Sequence, residues 1–316
     1  MSEDNLIVVE NLSRYYGTVR AVDDISFSVR RGEVLGFLGP NGAGKSTTMK
    51  IISGNLAPSA GRVVIDGHDI LDEPRQAKSE IGYLPEQPPL YRELTVDEYL
   101  RYCAHLNRIA SNRVSSAVDV AKQRCGLTGT GRRLIGNLSK GFQQRVGIAQ
   151  AIIHSPSVVI LDEPTVGLDP IQIREIRDLI KELGEQHSVI LSTHILPEVQ
   201  AICDQVQIIH KGQLVLNDSI EGLSMRMKSS ALVIALRHPP ASQRLADFAQ
   251  VRGVDELGHG RYRLHFSPED DPSQELVRTA VHEEWGLTEL TPEKMDLEQV
   301  FVDLTSREEG GQHVQA

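Results

Sequence analysis

Nine consecutive residues, Gly39-Pro40-Asn41-Gly42-Ala43-Gly44-Lys45-Ser46-Thr47, hold the densest chemistry in this chain. They fit the spacing G-x-x-x-x-G-K-[ST], with Gly39 and Gly44 at its fixed glycines. Such glycines let the backbone curl so that successive N–H groups point inward, making an anion nest at a helix N-terminus. Lys45 then reaches the terminal phosphates as a point charge, and the Ser46 hydroxyl is a hard oxygen ligand for Mg²⁺. Two acids, Asp162 and Glu163, follow the apolar run Val158-Val-Ile-Leu161. Asp162 suits Mg²⁺ or its waters, and Glu163 suits deprotonation of an attacking water. Phosphoryl transfer needs in-line positioning and charge neutralisation more than covalent help. Without the glycine loop, the same Asp-Glu pair would read as a helix cap. With it, the pair reads as catalytic.

The flanking residues predict the elements that hold these groups. Glu33-Val-Leu-Gly-Phe-Leu38 is an apolar run suited to a buried strand, and Thr48–Ile52 continues as a helix to Ser53-Gly54. Strands are expected at Leu6–Glu10, Ile25–Val29 and Arg62–Asp66, then at Val158–Asp162 and Ser188–Ser192. Asp162 thus ends a strand where a parallel sheet opens its ligand crevice. His194 stands just past the last of these strands. Thr95 with Glu98 forms a capping box, predicting a helix through about Ala110. A second helix is expected near Val114–Cys125. Ser139 is an N-cap ahead of an apolar helix over Val146–Ile153. A helix over Ile171–Leu183 aligns Ile173, Ile176, Leu179, Ile180 and Leu183 on one stripe. Residues of about 92–155 therefore form an inserted helical subdomain, and the alternation elsewhere predicts a mostly parallel α/β sheet.

Composition bounds the partners. The 316 residues are 40% hydrophobic and 24% charged, which permits a real core. Net charge is -10, with 23 Lys/Arg against 26 Asp/Glu in residues 1–220 and 10 against 17 in residues 221–316. Nucleic acid is disfavoured, because a phosphate backbone asks for a basic face. Cys103, Cys125 and Cys203 are scattered, so they are expected to be buried thiols and not a disulfide or zinc framework. The N-terminus carries no signal-peptide core, and no run of about 18 apolar residues predicts a membrane span. A cytoplasmic chain docked on a membrane partner is the expectation.

The ordered set of Tyr16, residues 39–46, Leu138–Phe142, Val158–Glu163, Gly167-Leu-Asp169-Pro170 and His194 resembles the ATPase subunits of ABC transporters, over roughly residues 5–220. The resemblance implies a P-loop ABC ATPase domain over residues 1–220 that binds ATP and Mg²⁺. Tyr16 is similar to the adenine-stacking aromatic, and Leu138-Ser139-Lys140-Gly141-Phe142 to the signature motif. Ser139 and Gly141 would there contact the γ-phosphate held by an opposite subunit. Asp169 resembles the residue bridging two subunits, and His194 the switch histidine. The family usually has Gly at the position of Lys140 and Gln at that of Phe142. The metal-contacting glutamine of the family corresponds to Glu86, with Gln87 one residue later; both remain open. One phosphate loop and one signature per chain imply a homodimer, or a pair with a closely related ATPase, with two composite sites. The resemblance also implies a separate integral-membrane permease, docked near Leu84–Tyr102 and the inserted helices.

Residues 221–316 read as an accessory domain. A linker helix at Ile220–Met225 precedes a strand at Ala231–Leu236, a helix at Ala241–Val251 and a hairpin of Asp255–Leu257 with Arg261–Phe266. Ser273–Glu284 and Leu287–Leu290 complete a βαββαβ order, which is ferredoxin-like. The amphipathic end Met295–Leu304, with Tyr83–Tyr91, resembles the bacterial type-two exporter branch, the gliding-motility-like and multidrug ATPases. A soluble ABC ATPase working on ribosomes or DNA is the competing reading, and a small-molecule kinase a third. The former would carry paired cassettes or long insertions; the latter leaves the signature and His194 without a purpose.

Overall fold

An antiparallel ribbon starts the chain, β1 (Asn5–Tyr16) against β2 (Val19–Arg30). The structure is a computed structural model that describes residues 5–226, 231–267 and 269–293. After the ribbon come β3 (Val34–Leu38), α1 (Lys45–Ile52), β4 (Ala60–Ile65) and β5 (His68–Asp69). The chain continues through α2 (Pro74–Ser79), β6 (Ile81–Leu84), α3 (Val96–Leu106), α4 (Ser111–Arg124) and α5 (Lys140–Ile152). It then forms β7 (Val158–Asp162), α6 (Pro170–Gly184), β8 (Ser188–Thr193), α7 (Leu196–Ile202), β9 (Gln205–His210) and β10 (Gln213–Ser219).

Six strands make one sheet in the order β10-β9-β3-β8-β7-β6, and four make a second in the order β2-β1-β4-β5. In the larger sheet only β10 runs antiparallel to its neighbour. Every residue of β3, β7 and β8 is buried, as parallel strands covered on both faces require. Phe37 lies at 0% exposure, its ring 5.7 Å from that of Phe27, in a cluster that also holds Leu35, Met49, Ile160 and Ile190. The pairings Leu38↔Thr193 and Asp162↔Ser192 bring the C-terminal ends of β3, β7 and β8 level. The crevice where ligands meet an open parallel sheet lies outside those ends.

The capping box at Thr95 is present: Thr95 N–H donates to Glu98 Oε2 at 2.8 Å, and Thr95 Oγ1 accepts from Glu98 N at 3.3 Å. The helix stops at Leu106, short of Ala110. The Asn107 amide donates to the Cys103 carbonyl at 2.9 Å, and Arg108 turns to φ +57°. The apolar helix expected from Val146 begins earlier, at Lys140, directly after its cap Ser139. Tyr15 and Tyr16 end β1 instead of lying between strands. The three cysteines are free and buried. Among the described residues no helix is long and apolar enough to cross a membrane.

The chain divides into two compact units, Met1–Ile220 and Glu221–Ala316. Beyond β10 come α8 (Ile220–Arg226), β11 (Ala231–Leu236), α9 (Ser242–Ala246), β12 (Val251–Gly258), β13 (Arg261–Phe266), α10 (Ser273–His282) and β14 (Leu287–Glu293). The four strands form an antiparallel sheet ordered β12-β13-β11-β14. That is the ferredoxin-like arrangement. The helix expected over Ala241–Val251 ends at Ala246. The Val251 N–H closes a turn on the Phe248 carbonyl, and the β-branched Val251 and Val254 join the strand they favour. Met295–Leu304 lies outside the described residues.

Candidate functional site

The loop from Gly39 to Gly44 leaves β3 and enters α1 at Lys45. Gly44 takes φ +113°, and a Cβ there would collide with the Ala21 carbonyl, so only glycine fits. No side chain caps this helix, so its first N–H groups remain available to an anion. The Lys45 ammonium, 5% exposed, donates to the Gly39 carbonyl at 2.8 Å and the Pro40 carbonyl at 3.2 Å. It also approaches Glu163 Oε1 to 3.2 Å, a charge contact without hydrogen-bond alignment.

Glu163 turns off the end of β7 with φ +49°, in the left-handed region that a long side chain rarely adopts. Its N–H donates to the Ser192 carbonyl at 2.9 Å, which holds the turn against β8. Its Oε2 accepts from His194 Nδ1 at 2.9 Å, so the imidazole carries hydrogen on that nitrogen. One residue earlier, Asp162 is 1% exposed and its Oδ1 accepts from two hydroxyls, Ser192 at 2.7 Å and Ser46 at 3.2 Å. Thr193 faces the other way, donating to the fully buried Glu198 at 2.9 Å while Arg177 stands 3.6 Å from the second Glu198 oxygen.

These elements enclose a cleft of about 400 Å³, lined by Ala21, Asn41, Gly42, Gly44, Lys45, Ser46, Thr47, Glu86, Glu163, Val166 and His194. Glu86 is on that lining; Gln87 is not. Gly39, Pro40, Ala43 and Asp162 are not on it. Ala21 and Val166, ordinary apolar residues with no motif of their own, were not legible in the sequence. Nor were Ser192 and Glu198, single polar residues within a strand and a short helix. Ser46 and Asp162 offer a hydroxyl and one carboxylate, a donor set suited to Mg²⁺ completed by phosphate and water. Among the described residues no group of three or more His, Cys, Asp or Glu could hold a metal unaided. The residues fit a cation delivered with a phosphate ligand.

Tyr16 is half-exposed, with the Arg14 guanidinium 4.9 Å above its ring. Ser139 caps α5, its Oγ accepting from Phe142 N at 3.4 Å. Lys140 lies over Gly167, and a Cβ on Gly141 would come 2.7 Å from the Gln172 side chain. The turn Ser139–Phe142 therefore packs on Gly167 and the start of α6, where Asp169 caps α6 by accepting from Ile171 N at 3.0 Å and Gln172 N at 2.9 Å. None of Ser139, Lys140, Gly141, Phe142, Asp169 or Tyr16 lines the cleft of its own chain.

The ABC transporter family profile matches residues 22–166. YdbJ of Bacillus subtilis, an uncharacterized ABC transporter ATP-binding protein, is 34% identical over 310 residues, covering 96% of this chain and 97% of that one. LnrL of the same organism, a linearmycin resistance ATP-binding protein, is 31% identical, with 96% and 99% covered. Among solved structures, CbiO1 of Clostridium perfringens, part of the ABC transporter complex cbiONQ, superposes at a TM-score of 0.65 and 30% identity, over 71% of this chain and 94% of that one.

Proposed function

This chain belongs to the ATP-binding proteins of ABC transporters, and from that premise we propose that two copies clamp two ATP molecules and drive export through a separate membrane permease. As a member of that family it binds and hydrolyses ATP. The observation that carries the finer reading is that Lys45, Glu163 and His194, from three separate strand ends, line one cleft, with Asp162 bonded to the lining residue Ser46.

ATP enters with its phosphates against the loop 39–44 and the free N–H groups of α1. Lys45 neutralises charge on the terminal phosphates and exchanges its contact with Glu163 for them, which frees that carboxylate. Ser46 and Asp162 would hold Mg²⁺, which would supply further charge neutralisation there, and Glu86 is on the cleft lining. Glu163 takes a proton from water as the water oxygen bonds to the γ-phosphorus. The bond from that phosphorus to the β–γ bridging oxygen breaks, releasing ADP and phosphate. His194, anchored to Glu163, orients the base. Tyr16 stacks on the adenine.

The turn Ser139–Phe142 lies outside its own chain's cleft, which supports its use by the cleft of a second copy, with Asp169 bridging the pair. Export is supported by the likeness to the linearmycin resistance protein. Tyr91, Tyr102 and Leu106, all exposed beside the helical region, supply an apolar surface for the permease on the cytoplasmic face of the membrane. The accessory unit stabilises the dimer. The experiment is Glu163→Gln: an ATP-bound dimer accumulates and turnover falls by ~10²-fold or more. A monomer turning over at the parental rate would remove Glu163 from the role of base.

A further inference from the structure

Ser192 belongs to no motif, yet it touches both acids of the cleft. It is fully buried near the end of β8, and strand register sets it directly opposite Asp162. Its hydroxyl donates to Asp162 Oδ1 at 2.7 Å, and its carbonyl accepts the Glu163 N–H at 2.9 Å. A serine in a strand this apolar carries a cost, since a buried hydroxyl without a partner is unfavourable. Here the hydroxyl is satisfied by a carboxylate that is itself 1% exposed.

The geometry at Asp162 is asymmetric. Oδ1 receives two hydroxyls, the nearer from Ser192 and the farther, at 3.2 Å, from Ser46. No hydrogen bond from the described residues reaches Oδ2. The two hydroxyls are not equivalent. Ser46 opens α1 on the phosphate side, and its oxygen is drawn to any cation that arrives with the nucleotide. Ser46 is on the cleft lining, whereas Ser192, like Asp162, is not, and its hydroxyl has the shorter bond to the acid.

We propose that Ser192 is a positioning residue for Mg²⁺: its hydroxyl pins Oδ1 of Asp162, so that Oδ2 is presented to the metal or its water. The inference rests on the reading that Asp162 serves the metal. Groups that orient a ligand from behind commonly set metal affinity as strongly as a ligand does. Ser192 is also well placed to keep the two acids in step, because one residue fixes the carboxylate of the first and the backbone of the second.

The test titrates Mg²⁺, and separately Mn²⁺ followed by its paramagnetic resonance, into the full chain with a fluorescent ATP analogue. Parent, Ser192→Ala, Asp162→Asn and the double variant are compared. Ser192→Ala is expected to weaken the metal-dependent gain in nucleotide affinity by ~10-fold and to release Mn²⁺ at correspondingly lower competitor. Metal-free nucleotide affinity should stay near that of the parent, while the melting temperature falls because a buried carboxylate loses a hydrogen bond. In the Asp162→Asn background the same substitution should change nothing further. The inference is overturned if Ser192→Ala leaves the metal dependence intact while Asp162→Asn abolishes it. It is equally overturned if Ser192→Ala acts as strongly without Asp162, or damages metal-free binding as much as metal-dependent binding. If Asp162→Asn itself leaves metal dependence unchanged, the underlying assignment of Asp162 fails instead.

Discussion

The two units of the chain bury different things. The first hides Lys45, Asp162, Glu163, Ser192, Thr193 and Glu198 among its strand ends, each less than a tenth exposed. The core of the second is Leu232, Ile234, Leu236, Leu245, Leu264, Leu276 and Trp285 with similar neighbours. Its charges pair on the outside, as in Arg244 with Glu283 and Arg261 with Glu289. Burying polar groups is costly unless they are bonded, so a cluster of them marks where structure has been given over to chemistry. The accessory unit has no such cluster among its described residues. It is built for shape.

That contrast can be broken from either side. The largest effect is expected in the accessory sheet: Leu264→Ala, at a position with 0% exposure, should cost about 2–5 kcal/mol of that unit's stability. Calorimetry should show one of two transitions moving down while nucleotide affinity stays within twofold; a parallel loss of affinity would tie the accessory core to the cleft.

A smaller effect is expected from pH. Burial holds His154 and His187 below their ordinary value of 6.5, and the Arg124 charge beside His187 adds to this. The Ile81 and Pro156 carbonyls, at 3.1 and 2.6 Å from the two rings, oppose that shift without reversing it. The unfolded chain takes up these protons first, so the stability they contribute is complete above about pH 6.5 and is lost as pH falls through the depressed values. In the accessory unit, Asp255 is held below its ordinary 3.8 by the hydrogen bond from His265, and its contribution is lost only below that value. Between pH 6.5 and 5 the transition of the first unit should therefore fall while the other holds. Equal shifts would contradict the assignment.

The sequence exposed the cleft more fully than the fold around it. Residues 39–47, Asp162 and Glu163 are legible because a spacing rule joins residue type to backbone geometry. The strand register that puts Ser192 against Asp162 is a long-range fact, and a lone serine gives no local hint of it. α2 escaped notice because its only buried residue is Ala77, too weak a stripe to show a period. α9 is shorter than its pattern for the opposite reason: Phe248 keeps helical spacing with Leu245 after the helix has ended at Ala246. With Lys140 and Phe142 in the turn, Ser139 caps α5.

No residue of the turn Ser139–Phe142 lines the cleft of its own chain, and the proposed clamp has that turn serve the cleft of a second copy. Lys45→Ala should disable the cleft of the protomer that carries it, and Ser139→Arg the turn it lends to a partner. Each variant alone should be inactive. Mixed in equal amounts and allowed to exchange, half the dimers pair one of each, and each such dimer holds one intact site, so about a quarter of the parental ATPase rate should return. A mixture no more active than its separate components would contradict the shared site.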